Sequence, residues 1–283
     1  MYKKFAQLSD EAWLEVLKKS INNKIVDGVQ FPQFPDEDVQ VLFTSHKWDA
    51  ALDEAFSFYK KVKQSGGLYG IKVGSDTKYL DFGVGWGRIA RMFLRDLNEK
   101  NIYGVDVTPE ILETCKKIMP VGEYSLSEPR GTLPYSDSYF DLVTAFSVFS
   151  HLSADSGLHW IGELHRVMKP GGIAVVTTLS NSFISLCREV ASNPESSDWA
   201  KMMASYIYQS YPNWKELFNN FPDDELLYLS SGGGFDTMAA SDYGWAMVSR
   251  EYAEKRWGEW FEIVDFIDDP NLIAQACITM KRR

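Results

Sequence analysis

The spacing of apolar positions changes several times along this chain, and each change predicts a different kind of element. In the first seventy residues the spacing is three and four. Trp13, Leu14 and Leu17 share one face of a helix that Ser9 can cap, with Asp10 and Glu11 in its first turn, where the helix dipole favours acids. Trp48, Leu52, Phe56, Tyr59 and Val62 repeat the pattern in a helix expected from about His46 to Lys63. Between them, Phe31-Pro32-Gln33-Phe34-Pro35 predicts an extended segment, because the residue before a proline avoids the helical region.

From residue 78 onward, short apolar runs alternate with amphipathic stretches. Strands are expected at 78–82, 102–107, near 122–127, at 140–146 and at 173–178. The intervening helices start at about residue 87, at Thr108-Pro109-Glu110 and after Ser153, and the first should run to about 98. Lys169-Pro170-Gly171-Gly172 reads as a tight turn. Apolar strands alternating with amphipathic helices imply a parallel sheet covered on both faces. Residues 183–245 interrupt that rhythm with a loop at 193–198, a helix at about 198–210, a Gly-rich turn at 230–234 and many aromatics, Tyr206, Trp214, Phe218, Tyr243 and Trp245 among them. Most of these rings would pack a small helical cap, and a few would line a substrate pocket. A helix at 250–257 and strands at 261–267 and 274–280 close the chain; the link between the strands is too short for a crossover helix, so they should pair antiparallel. The expected organisation is an N-terminal helical extension or lid (1–70), a central core (71–182), an aromatic-rich helical cap (183–248) and a last helix with two strands completing the sheet (249–283).

Composition narrows the class of function. The 283 residues are 45% hydrophobic and 24% charged, enough for a substantial core. A net charge of −10 without a long basic run argues against a nucleic-acid partner. No run of about 18 apolar residues predicts a membrane span, and the first residues lack the apolar stretch of a secretory signal. Cys115, Cys187 and Cys277 are scattered and odd in number, so a cytoplasmic location is expected, with neither a disulfide framework nor a zinc site. No acid or histidine cluster suggests a catalytic metal.

Candidate chemistry concentrates at Asp81-Phe82-Gly83-Val84-Gly85-Trp86-Gly87-Arg88. A strand breaks there into a glycine loop and re-enters a helix, whose first N–H groups would face a ligand. Asp106 ends the next strand, nineteen residues after Gly87, where a carboxylate can accept hydrogen bonds from both hydroxyls of a ribose. A dinucleotide fingerprint needs glycine at the first, third and sixth positions; counted from Gly83, the sixth is Arg88, which disfavours a nicotinamide dehydrogenase. Asp81, just ahead of the loop, suits a cationic amine better than a pyrophosphate. An amine and a ribose together point to S-adenosylmethionine.

These residues resemble the class I S-adenosylmethionine-dependent methyltransferases. The likeness rests on Asp81–Arg88, Gly104-Val105-Asp106-Val107, Leu133-Pro134-Tyr135 with Phe140-Asp141-Leu142-Val143, and Leu164–Gly172, in the family's order over about 76–180. It implies a Rossmann-like α/β fold with a seven-stranded, mostly parallel sheet whose final strand is antiparallel. Asp81, Gly83, Gly85 and Gly87 would hold the methionine moiety, with Val84 and Arg88 in the same loop. Asp106 would hold the ribose, Val107 would pack on the adenine, and Ser127 and Glu128 would sit by its amino group, where the family more often has Asp or Asn. Phe146 and Ser147 would line the methyl-transfer site. A hydroxyl acceptor also needs a base, and His151, just past the fourth strand, is the best placed of four histidines, His159 and His165 being expected on the solvated face of the next helix. Its other reading is a helix-capping or cofactor-orienting histidine. A weaker resemblance, to a bacterial subgroup associated with glycan and surface-polysaccharide methylation, involves Glu251-Tyr252, Trp260–Ile263 and Gln275. It implies a sugar or glycan hydroxyl as acceptor. Methylation of another small metabolite at oxygen or nitrogen, and a non-enzymatic cofactor-binding scaffold, are the alternatives.

Overall fold

The computed structural model describes residues 1–221 and 224–283, apart from the side chain of Trp199. Ser9 accepts a hydrogen bond from the Ala12 amide and starts α1 (Asp10–Asn22). A small ribbon, β1 (Ile25–Val26) with β2 (Val29–Gln30), leads into the extended Phe31–Pro35 segment. Two helices follow, α2 (Glu37–Thr44) and α3 (Trp48–Tyr69). The first was not expected from the pattern, because its apolar residues Val41 and Leu42 are exposed. The second runs a turn and a half past its expected end, to a Gly70 in left-handed conformation.

The alternating region builds β3 (Tyr79–Phe82), α4 (Arg88–Met92), β4 (Ile102–Asp106), α5 (Pro109–Ile118), β5 (Glu123–Leu126), β6 (Phe140–Ala145), α6 (Ala154–Val167) and β7 (Met168–Thr178). After an insert come α10 (Arg250–Arg256), β10 (Phe261–Ile267) and β11 (Ala276–Arg282); the insert itself holds α7 (Asn181–Ser192), α8 (Asp198–Ser210), α9 (Trp214–Asn219), β8 (Leu226–Ser230) and β9 (Gly244–Val248). The main sheet has seven strands in the order β10-β11-β7-β6-β3-β4-β5. The run from β7 to β5 is parallel, and β11 is antiparallel to both of its neighbours. This is the expected Rossmann-like sheet with its antiparallel last strand. Strand order reverses on either side of β3, and ligands of open α/β sheets sit above the carboxyl ends of the strands at such a switch point.

Period-two alternation decides which side each strand residue faces. Tyr79, Ile102, Leu142 and Val175 pack with α1, α3, α4 and α5. Leu80, Val105, Val143 and Val176 pack with α6 and α10 on the opposite face. Residues 1–70 share the first of these cores. Trp13 is fully buried and its indole N–H donates to the Met92 carbonyl at 2.8 Å. The Arg91 guanidinium donates to the Pro32 and Gln33 carbonyls and lies 3.9 Å from the Phe34 ring, which holds the extended segment down.

Three local expectations are corrected. The helix expected to reach residue 98 ends at Met92, because the Phe93 amide turns to the Ala90 carbonyl in a tighter bond. Lys169–Gly172 is a bulge inside β7, with Phe140 opposite Met168 and Leu142 opposite Ile173. The insert is not helical throughout: Leu226–Ser230 and Gly244–Val248 form an antiparallel hairpin that buries Leu229, Ala246, Met247 and Val248.

Replacing Trp13 by alanine is expected to lower the unfolding free energy by about 3–5 kcal/mol, measured by urea denaturation as one shifted transition. Two separate transitions, with the main one unmoved, would show that residues 1–70 fold apart from the sheet.

Candidate active site

The loop between β3 and α4 is built for close approach. Gly83, Gly85 and Gly87 all have positive φ (75°, 51° and 81°). The amides of Gly83 and Val84 both donate to the Val105 carbonyl at 2.9 Å, which pins the loop to β4. A Cβ on Gly83 would lie 2.4 Å from Val148 Cγ2, and one on Gly87 would lie 2.7 Å from Met119 Cγ. Over Gly85 nothing lies within 4 Å, so the backbone is open there.

Asp81 lies beneath this loop with 1% of its surface exposed. Its carboxylate accepts from the Ala90 amide at 3.0 Å and from the Thr144 hydroxyl at 3.1 Å. Burial pushes its pKa up to about 7, against the pull of those two bonds. The residue thus braces the start of α4 against β6 and is not part of the cavity wall, so a direct contact with a bound amine has no open side here. Asp106 is different. It lies in the wall, accepts from the Gly85 amide at 2.9 Å through one oxygen and from the Thr108 amide at 3.0 Å through the other. Each carboxylate oxygen has a second lone pair, so the group can still receive a diol. Burial raises its pKa too.

Above the strand ends is a cavity of about 950 Å³. Val107 and Ser127 line one end, and Phe146, Ser147 and His151 line the other. Residues 42–46, Glu54 and, from the insert, Tyr206, Tyr243 and Trp245 complete the wall, and Phe43 stacks on Phe235 of the insert at 4.9 Å. Arg88 reaches the wall as part of an ion pair: its guanidinium is 2.5 Å from Glu54, donates to the Ala51 carbonyl and lies 4.8 Å from the Phe146 ring. Glu128 is exposed and outside the wall, and its carbonyl accepts from the Gly131 amide and the Ser127 hydroxyl. Gly87 also lies outside it, packed on α5 through Cys115 and Met119.

His151 has a defined tautomer. Its Nδ1 is 2.8 Å from the Gly244 carbonyl, which can only accept, so Nδ1 carries the hydrogen and Nε2 carries the lone pair. Nε2 has no hydrogen-bond partner among the described residues. The ring stacks on Tyr243 (4.9 Å, 14°) and leans on Trp245 at 5.3 Å. Burial holds its pKa below the ordinary 6.5, so the imidazole is neutral at pH 7. The two histidines of α6 are half-buried: His159 bonds the Gly131 carbonyl, and His165 packs on Trp260 and Phe261. Among the described residues no cluster of three or more His, Cys, Asp or Glu could hold a metal ion, and no helix is long and apolar enough to cross a membrane.

Residues 80–176 match a family described as methyltransferase domain. The likeness to a methyltransferase domain thus lies over β3 to β7 of the main sheet. It is similar to the ubiquinone/menaquinone biosynthesis C-methyltransferase of Geotalea daltonii, at 29% identity over 117 residues, 39% of this chain and 48% of that one. It is also similar to the ubiquinone biosynthesis O-methyltransferase of a Bradyrhizobium species, at 27% over 159 residues, 55% of this chain and 57% of that one. The chain thus spans about half the length of these curated relatives. An S-adenosylmethionine-dependent methyltransferase from Clostridium acetobutylicum shares the fold, with a TM-score of 0.53 over 87% of this chain and 96% of that chain, at 14% identity.

The fold brings Gly83, Val84, Gly85, Arg88, Asp106, Val107, Ser127, Phe146, Ser147 and His151 to one cavity. Those residues fit S-adenosylmethionine: Gly85 leaves the backbone open, and Asp106 offers a carboxylate beside it. Sequence reasoning missed His46, Glu54, Ser150 and Asp242, which line the same cavity. No local signal marks them, because they reach it from α3, from loops and from the end of the insert.

The folded protein retains the Asp81 proton up to about pH 7, whereas the ordinary value is 3.8. In that window the folded state binds more protons, so this group lowers stability as pH rises from about 4 to about 7. Asp81→Asn, which keeps an acceptor for Ala90, is expected to flatten that decline in urea titrations at stepped pH. Parallel pH profiles for the two proteins would refute the assignment.

Proposed function

We propose that this protein transfers a methyl group from S-adenosylmethionine to a hydroxyl of a sugar or glycan, with His151 as general base. The observation that carries the base assignment is the Nδ1–Gly244 bond, which leaves the basic Nε2 to the cavity. When bound, S-adenosylmethionine supplies an electrophilic sulfonium methyl. Gly85 and Asp106 would hold its amino acid and ribose ends, with Val107 and Ser127 beside the adenine. The protein's own contribution is to orient the acceptor, exclude water and take the hydroxyl proton on Nε2 of His151. Residues 1–70 and 183–248 act as the two covers of the site, a reading supported by Leu42–His46 and by Tyr206, Tyr243 and Trp245 in its walls.

The sugar reading is supported by flat rings next to polar groups that suit a hydroxyl-rich ligand: Tyr206, Tyr243 and Trp245 beside Asn181, Glu189 and Asp242. A second reading, a hydroxyl on an aromatic ring, is favoured by the same rings and by a relative named ubiquinone biosynthesis O-methyltransferase. Transfer of labelled methyl to sugars, nucleotide sugars and hydroxyquinones would separate the two. Label on none of them, with S-adenosylhomocysteine bound, would favour the scaffold alternative.

His151→Ala is expected to reduce kcat by about 10²–10⁴ while S-adenosylhomocysteine affinity, by calorimetry, stays within about threefold. Lost cofactor binding with turnover intact would sink the base assignment. Because the basic form is the neutral one and burial lowers the pKa, kcat/KM should be level around neutrality and fall only at a pH below the pKa of an ordinary histidine. A rate that rose on acidification would contradict the role.

A further inference from the structure

Ser147 is held in left-handed backbone, φ +58°, although it is not glycine. Side chains disfavour this conformation, and it persists where surrounding bonds impose it. Here the bonds form a closed ring. The Ser147 amide donates to the Thr177 hydroxyl at 2.7 Å, and that hydroxyl donates to Gln275 Oε1 at 2.8 Å. Gln275 Nε2 then donates back to Ser147 Oγ at 2.9 Å. With its oxygen already accepting, Ser147 can pass its hydrogen to Ser150 Oγ, 3.2 Å away. Thr177 is fully buried at the end of β7, whereas Ser147, Ser150 and Gln275 line the cavity, and Ser150 precedes His151. Gln275 comes from the loop before β11, so the ring ties the ends of β6 and β7 to a segment 128 residues away in the chain.

We infer that Gln275 is a positioning residue. It fixes Ser147 in its strained conformation and orients the Ser147–Ser150 hydroxyl pair toward the acceptor hydroxyl that His151 deprotonates. This rests on the proposed methyl transfer to a hydroxyl. Neither contact to a cofactor nor a core-packing role requires such a ring: a glycine would take the same backbone conformation without strain, and an apolar side chain could fill the place of Gln275.

The test is a double-mutant cycle in the full chain with Gln275→Leu and Ser147→Ala, read by acceptor kinetics, calorimetry with S-adenosylhomocysteine and thermal unfolding. Each single variant is expected to lower kcat about 10- to 100-fold, with acceptor KM and S-adenosylhomocysteine affinity changed less than about threefold. The double variant should be no worse than the poorer single one, because both remove one contact. Gln275→Glu keeps an oxygen for Thr177 but cannot donate to Ser147, and should fall with the leucine variant. Ser147→Gly should unfold at the same temperature or higher and still lose turnover. Unchanged kcat in Gln275→Leu, or single effects that add in the double variant, would overturn the positioning role. So would an equal loss of S-adenosylhomocysteine binding, which would make the ring part of the cofactor cradle. If the wild type methylates no hydroxyl compound, the reading of function fails and the acceptor role of the ring fails with it, and this case is told apart by the inactive wild type.

Discussion

A carboxylate taken out of water destabilises a fold unless its oxygens are bonded, and Asp81 is bonded on both. One oxygen holds the first turn of α4 and the other holds β6 through Thr144, so three neighbouring elements meet on one side chain. On top of that bracket the glycine loop is fixed a second time, by two amides on the Val105 carbonyl. The Gly85 amide then reaches Asp106 and sets its carboxylate at the cavity wall. Where the loop sits therefore decides where a ligand could be held. Asp81 is not in the cavity wall, yet it braces the loop that is.

The same division between supporting and exposed groups recurs at the other end of the site. His151 presents Nε2 because a backbone carbonyl of the insert occupies Nδ1. Ser147 keeps an unfavourable conformation because Thr177 and Gln275 bond it. In each case a polar atom that faces the cavity is oriented by a partner from a distant part of the chain. Side-chain orientation in a partly desolvated site depends on such second partners, since a lone polar group there would either lose free energy or turn away.

The alternation of strands and helices and the mostly parallel sheet with its antiparallel end were legible in the sequence, and so was the glycine loop; the order of the strands was not. Period-two runs such as Tyr79–Phe82 and Phe140–Ala145 leave little freedom of face, and a glycine triplet between a strand and a helix has few uses. Legibility failed where local pattern and burial separate. Val41 and Leu42 are exposed apolar residues on a helix, so no amphipathic face announced α2. Glu128 was expected beside the adenine from its place in a motif, yet its side chain turns outward. Arg88 does line the cavity, but its pairing with Glu54 across the α3–α4 contact had no local signal.

What the sequence determined by itself is what neighbouring residues can impose: strand and helix periodicity, the turn that only glycine permits at Gly83 and Gly87, and the acid at the end of β4. What only the tertiary structure decided is which atoms meet from far apart: Glu54 with Arg88, Gly244 with His151, and Gln275 with Ser147. Each of these pairs spans more than thirty residues, and the longest spans 128. Their encounter depends on sheet order and on the path of the insert. A side chain carries no local mark of the partner that will orient it.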